Sequence, residues 1–456
     1  MADYIERPSP ETANDIAVDR EFGSFVIVWL GQLISMVGSG LTAFTLGLWV
    51  YTTTGSVTRF ALISFFGMAP SIICLPLAGA LVDRWDRRTA MLLSDSGAAC
   101  CTLSVALLLW SGRLEIWHIY IAVALASGFA SFRWPAFSAS IPLMVPMRHL
   151  YRANGMVQAA EASVAIASPV LAGLLIAAVK PHGILLIDFG SFMFGLAAVL
   201  LVRFPKPRKD IENPTQSRSL LREAMFGWTY ITSRPGLFGL LVFFSVINFL
   251  LFGIGQQMVT PLILSLAGTK ELGFALGAAG FGLLAGGIAG SIWGGPRSKV
   301  RGILTLTAVQ GLFASIAGVT VEFLVVTSSL VVLSVLTPII AACNQSIWQR
   351  KVEPEVQGRV FAVRRMMGWS SFPLAYLAAG PLADFVFEPL LAEGGLLSST
   401  VGRVIGFGKG RGVGLLFIIV GAMTITAAVA AFRFPRIKRL EDELPDRLVS
   451  KESAVS

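Results

Sequence analysis

The sequence predicts an all-α membrane protein, with twelve transmembrane helices in two pseudo-symmetric six-helix bundles. Three observations carry that prediction. Charged residues make up 14% of the chain and hydrophobic residues 55%, where a soluble domain carries about 25% charged residues. Apolar runs of roughly 20 residues, the length a helix needs to span a bilayer, recur along almost the whole chain. The basic residues sit in short clusters between those runs, with one long basic connection near the middle.

The elements follow in order. Residues 1–21 are polar and acidic and read as a cytoplasmic tail, without the basic start and short apolar core of a cleavable signal peptide. Helices are predicted at 22–51, 58–82, 89–111, 115–140, 150–179 and 183–203, forming an N-terminal bundle over 22–203. Each must be helical, because unpaired backbone groups in hydrocarbon cost several kcal/mol apiece. The stretch 204–235 is a cytoplasmic linker, in which Leu220–Ile231 has the pattern of an amphipathic helix lying on the membrane surface. A second set at 236–266, 271–294, 301–321, 324–350, 359–388 and 411–433 forms a C-terminal bundle over 236–433, followed by a charged cytoplasmic tail, 434–456. The Gly-rich stretch 389–411 reads either as a surface loop or as a segment dipping back toward the bilayer. In the helix at 271–294, Gly282, Gly286 and Gly290 form a smooth stripe for close packing.

Charge sets the orientation. With both termini inside, all but seven of the 36 basic residues fall on the cytoplasmic side. The exceptions are Arg59, Arg113, Lys180, Lys270, Arg403, Lys409 and Arg411. That bias requires an even number of spans. Two six-helix halves around a cytoplasmic linker are the signature of a duplicated transporter, expected in a plasma membrane as a monomer.

Other classes fit poorly. The net charge of +9 is spread over loops and does not form the basic face of a nucleic-acid binder. Cys74, Cys100, Cys101 and Cys343 lie in or beside apolar runs, without the paired spacing of a zinc site. The three His (His118, His149, His182) form no catalytic cluster, and no phosphate-cradling Gly-x-x-x-x-Gly-Lys-Ser/Thr is present. No cofactor, metal or enzymatic activity is expected.

After the second predicted helix the chain reads Gly79-Ala80-Leu81-Val82-Asp83-Arg84-Trp85-Asp86-Arg87-Arg88. Gly79 permits close helix contact, Asp83 can cap a helix start or pair with an Arg, and Arg84, Arg87 and Arg88 suit an anionic inner leaflet. This resembles the loop motif of the major facilitator superfamily, with Asp86 where that family usually has Gly. The resemblance implies a gating loop that latches the two halves, with Asp83 meeting Arg364 and Arg365. The matching loop of the second half, Gly290 to Arg301, keeps its basic residues and has lost the acid. Trp29–Gly40, Phe132–Phe137, Leu150–Gly155 and Ala379–Asp384 are similar to the drug:proton antiporter branch of that family, which holds macrolide efflux proteins and the enterobactin exporter. Ser168-Pro169-x-x-x-Gly173 resembles the antiporter hinge, with Ser168 in place of a Gly.

Ionisable residues inside spans are expensive and therefore mark function. Glu161 lies about 11 residues into the fifth helix and Arg133 about seven from the inner end of the fourth. At about 1.5 Å per residue these are roughly 16 Å and 10 Å deep, close enough to pair. Asp188 lies near the outer end of the sixth. A carboxylate in an apolar cavity can exchange protons near neutral pH. Glu161 is thus the first candidate proton carrier and Asp188 the second, with Arg133 tuning Glu161. The competing readings are a fixed Arg133–Glu161 clamp and, for Asp188, an interfacial residue reached by water. Gln32, Ser35, Asn248, Gln256, Gln257, Gln310, Asn344 and Gln345 are the candidate lining of a substrate cavity. The expected function is proton-coupled efflux of an amphiphilic organic compound (a drug, siderophore or peptide natural product) by alternating access. The alternative is an importer or facilitator on the same fold.

Overall fold

The structure, a computed structural model, describes residues 10–82, 85–145, 150–202, 204, 220–353, 356–438 and 440–443. Asp83 and Arg84 of the gating loop lie outside the described residues, as do the surroundings of Gly79 and the side chain of Glu161.

Among the described residues every regular element is helical. The first helices are α1 (Pro10–Thr54), α2 (Val57–Val82), α3 (Arg87–Trp110), α4 (Ile116–Met144) and α5 (Leu150–Leu201). The predicted fifth and sixth spans both lie in α5. They meet at Lys180 (φ 57°, ψ 170°), directly before Pro181. A proline disfavours helical backbone in the residue before it and has no N–H to continue the ladder. The linker helix is α6 (Leu220–Thr232). The next span is built from α7 (Pro235–Ile247), a π-helical stretch (Asn248–Gly255) and α8 (Gln256–Leu266). It is followed by α9 (Thr269–Trp293), α10 (Lys299–Val319) and α11 (Phe323–Lys351). α12 (Gln357–Pro381) runs through a second π-helical stretch (Leu382–Phe387) into α13 (Glu388–Leu391). The chain then forms α14 (Gly402–Ile405), α15 (Arg411–Arg433), α16 (Pro435–Lys438) and α17 (Leu440–Glu443). Among the described residues eleven helices are long and apolar enough to cross a membrane, and a shorter apolar helix, Ala167–Ile176, lies where the predicted fifth span does. Ile73, Leu174, Leu201, Phe281, Ile292 and Leu324 are each more than two-thirds exposed. Such surfaces suit lipid and not water.

The chain divides into two compact units, one of residues 1–49 and 66–211, the other of 50–65 and 212–456. In the first unit small residues let helices touch. A Cβ on Gly31 of α1 would lie 2.6 Å from the Cβ of Ala198 in α5, and one on Gly97 of α3 would enter the Phe129 ring of α4. The Ser94 hydroxyl donates to the Phe129 carbonyl (2.8 Å), fixing α3 on α4. The core beneath comprises Phe25, Val28, Met91, Ala136, Phe137, Ile141 and Val199.

In the second unit the Gly282/Gly286/Gly290 stripe of α9 packs on α11. Cβ atoms at Gly282 and Gly290 would meet Val331 O at 2.9 Å and Ile339 Cγ1 at 3.3 Å, and one at Gly286 would collide with the Val335 backbone. α10 and α15 approach in the same way through Gly311 and Gly421 and through Gly318 and Gly414. α6 is the predicted amphipathic helix. It buries Tyr230 and Ile231 in this unit's core, sets Phe226 under the Arg359 guanidinium (5.3 Å), and leaves Met225 and Trp228 exposed. The stretch after α13 folds back on itself: Leu397 N–H donates to Leu390 O (2.9 Å) and Gly408 N–H to Leu391 O (2.8 Å), through glycines at positive φ.

Residues 50–65 join this unit through Asp384. Its carboxylate accepts from the Ser56 hydroxyl (2.6 Å) and from the N–H groups of Val57 (2.9 Å) and Thr58 (2.8 Å), capping the start of α2. Gly380, one helical turn before Asp384, leaves room for Thr58.

Candidate functional site

The first unit buries two carboxylates among its helices. Asp95 of α3 is 1% exposed. Its Oδ1 lies 3.3 Å from Arg133 Nε of α4, and its Oδ2 accepts from Gln32 Nε2 of α1 (2.9 Å). The Arg133 guanidinium also stands over the Phe192 ring of α5, 5.9 Å from its centroid. Four helices thus converge on one ion pair. Arg133 is where the sequence places a functional cation, but its described partner is Asp95, which the sequence reading did not single out. The signal is present: an acid eight residues into α3, flanked by Ser94 and Ser96 in an apolar run, is as costly in hydrocarbon as Glu161 or Asp188.

Asp188, on the second half of α5, is equally buried at 1%. Its partners are hydroxyls: Thr102 of α3 donates to Oδ2 (3.2 Å) and Ser191 approaches Oδ1 (3.4 Å). Gly38 of α1 lies against it; a Cβ there would stand 2.8 Å from Asp188 Oδ1 and collide with the Ser191 hydroxyl. Along α1 between the two carboxylates, Gln32 Oε1, Ser35 Oγ and Ser39 Oγ are buried with no hydrogen-bond partner among the described residues. Residues three and four apart share a helix face, so these atoms form a polar stripe with unused hydrogen-bonding capacity. α5 also meets α1 at the predicted hinge. The Ser168 hydroxyl, next to Pro169, donates to Val37 O (3.4 Å), and Gly40 gives it room. Gly173 is buried one turn further on.

The amides of the second unit are mostly engaged with neighbouring helices. Gln310 of α10 donates to Leu333 O and Thr337 Oγ1 of α11 (both 3.0 Å), a buried clamp. Asn344 accepts from Trp348 Nε1 (3.1 Å). Gln345 accepts from Arg364 (3.0 Å), whose guanidinium lies 5.0 Å from the Trp348 ring centroid. Asn248 opens the first π-helical stretch and donates to Gly368 O (3.3 Å). Gln257 accepts from Ser64 (3.2 Å), while Gln256 is exposed. Arg365 stacks over Trp369 at 4.1 Å. Of the gating loop, Asp86 is exposed, Arg87 is partly exposed, and Arg88 donates to the last carbonyls of α5, Val199 O and Leu200 O, as cations do at helix C-termini. No group of three or more His, Cys, Asp or Glu able to hold a metal occurs among the described residues.

Comparison with known proteins agrees with this architecture. Macrolide efflux protein A of Streptococcus pyogenes is 24% identical over 79% of this chain and 89% of its own length. Multidrug efflux pump Tap of Mycolicibacterium fortuitum is 23% identical over 79% of this chain and 90% of its own. Among solved structures, a bacterial homologue of the human lysosomal transporter Spinster superposes with a TM-score of 0.68 over 93% of this chain and 98% of that one, at 12% identity, which shows a shared fold. Residues 28–376 match the Major Facilitator Superfamily, so the chain is a multi-pass membrane protein that belongs to that superfamily.

Proposed function

We propose that this chain is a secondary transporter that exports an amphiphilic organic compound in exchange for protons, by alternating access, from a plasma membrane with both termini cytoplasmic. The observation that carries the reading is the buried Asp188, held by hydroxyls in an apolar bundle beside a second carboxylate that Arg133 neutralises. A hydroxyl can donate to a carboxylate or accept from a carboxylic acid, so the partners of Asp188 suit either form, whereas Asp95 faces the Arg133 cation at 3.3 Å. Asp188 is therefore the proton carrier, Arg133 and Asp95 set the field around it, and Gln32 and Ser35 offer polar contacts to the cargo. Glu161 remains a second carboxylate candidate. The substrate class follows the efflux relatives. The superfamily match and the efflux relatives support a transporter.

Uptake of a radiolabelled macrolide into everted membrane vesicles tests this. An inside-acid gradient is expected to drive accumulation, and a protonophore to abolish it. Accumulation indifferent to the protonophore would remove the coupling. Accumulation confined to right-side-out vesicles would make the protein an importer.

A further inference from the structure

The second-half loop that has lost its acid does not lack a carboxylate in the fold. Glu441 of α17 supplies one from the tail. Its Oε1 accepts from Lys299 N–H (2.8 Å), and its Oε2 from the Ser298 hydroxyl (2.6 Å) and Val300 N–H (3.3 Å). The start of α10 is thereby capped and is not itself a vacant anion seat. Beside it lies a cavity of about 450 Å³, walled by Arg297, Lys299 and Arg301 from the α10 end, Arg350 and Lys351 from the end of α11, and Lys438 from α16. Six basic side chains thus face Glu441 as the single acid among the lining residues. Lys299 Nζ donates to Gly294 O and Lys351 Nζ to Glu441 O, both at 2.6 Å. Both of these acceptors are backbone carbonyls. α9 ends on this loop with Ile292 and Trp293, 83% and 59% exposed. An exposed Trp at a span end marks the headgroup level of a bilayer, so the cavity stands where lipid phosphates lie. Its volume is within the range of small-molecule sites.

The geometry points to a binding site for the phosphate of an anionic lipid headgroup, formed by the α10 loop, the end of α11 and the C-terminal tail. Guanidinium and ammonium groups recognise phosphate oxygens by charge-assisted hydrogen bonds, and basic pockets between spans on the cytoplasmic side hold such headgroups. The tail closes one wall, so lipid binding and tail docking support each other. This inference does not depend on the direction or coupling of transport.

The test uses the purified full-length protein in detergent. Cardiolipin, phosphatidylcholine and inorganic phosphate are titrated separately, and retained lipid and melting temperature are read by native mass spectrometry and thermal shift. Cardiolipin is expected to be retained and to raise the melting temperature, phosphatidylcholine and inorganic phosphate to do neither. The triple variant Arg297→Gln/Arg301→Gln/Lys438→Gln is expected to bind cardiolipin roughly tenfold or more weakly, and Arg297→Lys/Arg301→Lys to retain it. Arg301→Gln alone, at an exposed position, gives a smaller loss in the same direction should the triple variant not fold. Equal retention by the glutamine variants overturns the proposal. Inorganic phosphate competing as well as cardiolipin overturns the lipid assignment in favour of a free-anion site.

Discussion

Asp95 and Arg133 are close enough to neutralise each other, and that contact governs what a substitution at either position does. Removing one member of a buried pair leaves the other charged in a medium that cannot solvate it, at a cost of about 3–5 kcal/mol, while removing both is far milder. Arg133→Gln is therefore expected to reduce the amount of folded protein in the membrane sharply, and Asp95→Asn/Arg133→Gln to restore much of it. Size-exclusion profiles and thermal denaturation of the two variants check this. A double variant as unstable as the single one would show that the pair is not the stabilising contact. The sequence made Arg133 legible because a cation in an apolar run is conspicuous. Its partner was not legible, because that depends on α3 lying beside α4, a long-range fact. Asp188 was legible as an acid, but its burial was not: distance from a predicted helix end is a poor measure of what surrounds a side chain.

At the scale of elements, helices announced themselves by apolar length, and the α5 break by Lys180-Pro181. The two π-helical stretches left no trace in composition, since their residues have ordinary helical preferences and the extra residue per turn is imposed by packing. Such stretches recur at functional positions. Here one opens with Asn248, and the other presents Asp384 to the start of α2. The Asp384 cap satisfies N–H groups that a helix start cannot pair internally. Replacing it by Ala should destabilise the second unit by about 0.5–2 kcal/mol, as lost caps do, with Asn much milder because it keeps an acceptor. Melting curves of Asp384→Ala and Asp384→Asn distinguish the two. Equal losses would mean that the negative charge, and not the hydrogen-bond geometry, fastens α2. The glycine stripe of α9 was legible as a packing surface, and α11 is the helix it meets.

For the whole molecule, charge deficit, repeated apolar runs and a basic central linker sufficed to read a twelve-helix transporter, and the superfamily match agrees. What stayed hidden was where the structure divides. Residues 50–65 belong by sequence to the first bundle and pack with the second unit, held by the Asp384 carboxylate of the second π-helical stretch and by close approach at Gly380 of α12. The tail, which reads as loose charge, likewise contributes Glu441 to the second unit. The proposed function requires that cargo and proton compete at Asp188. Proton release on substrate addition, followed with a pH-sensitive dye in weakly buffered detergent solution, tests this most directly. The wild-type protein should release protons when a macrolide is added, and Asp188→Asn, folded and still binding macrolide, should release none. Undiminished release from Asp188→Asn would contradict the account.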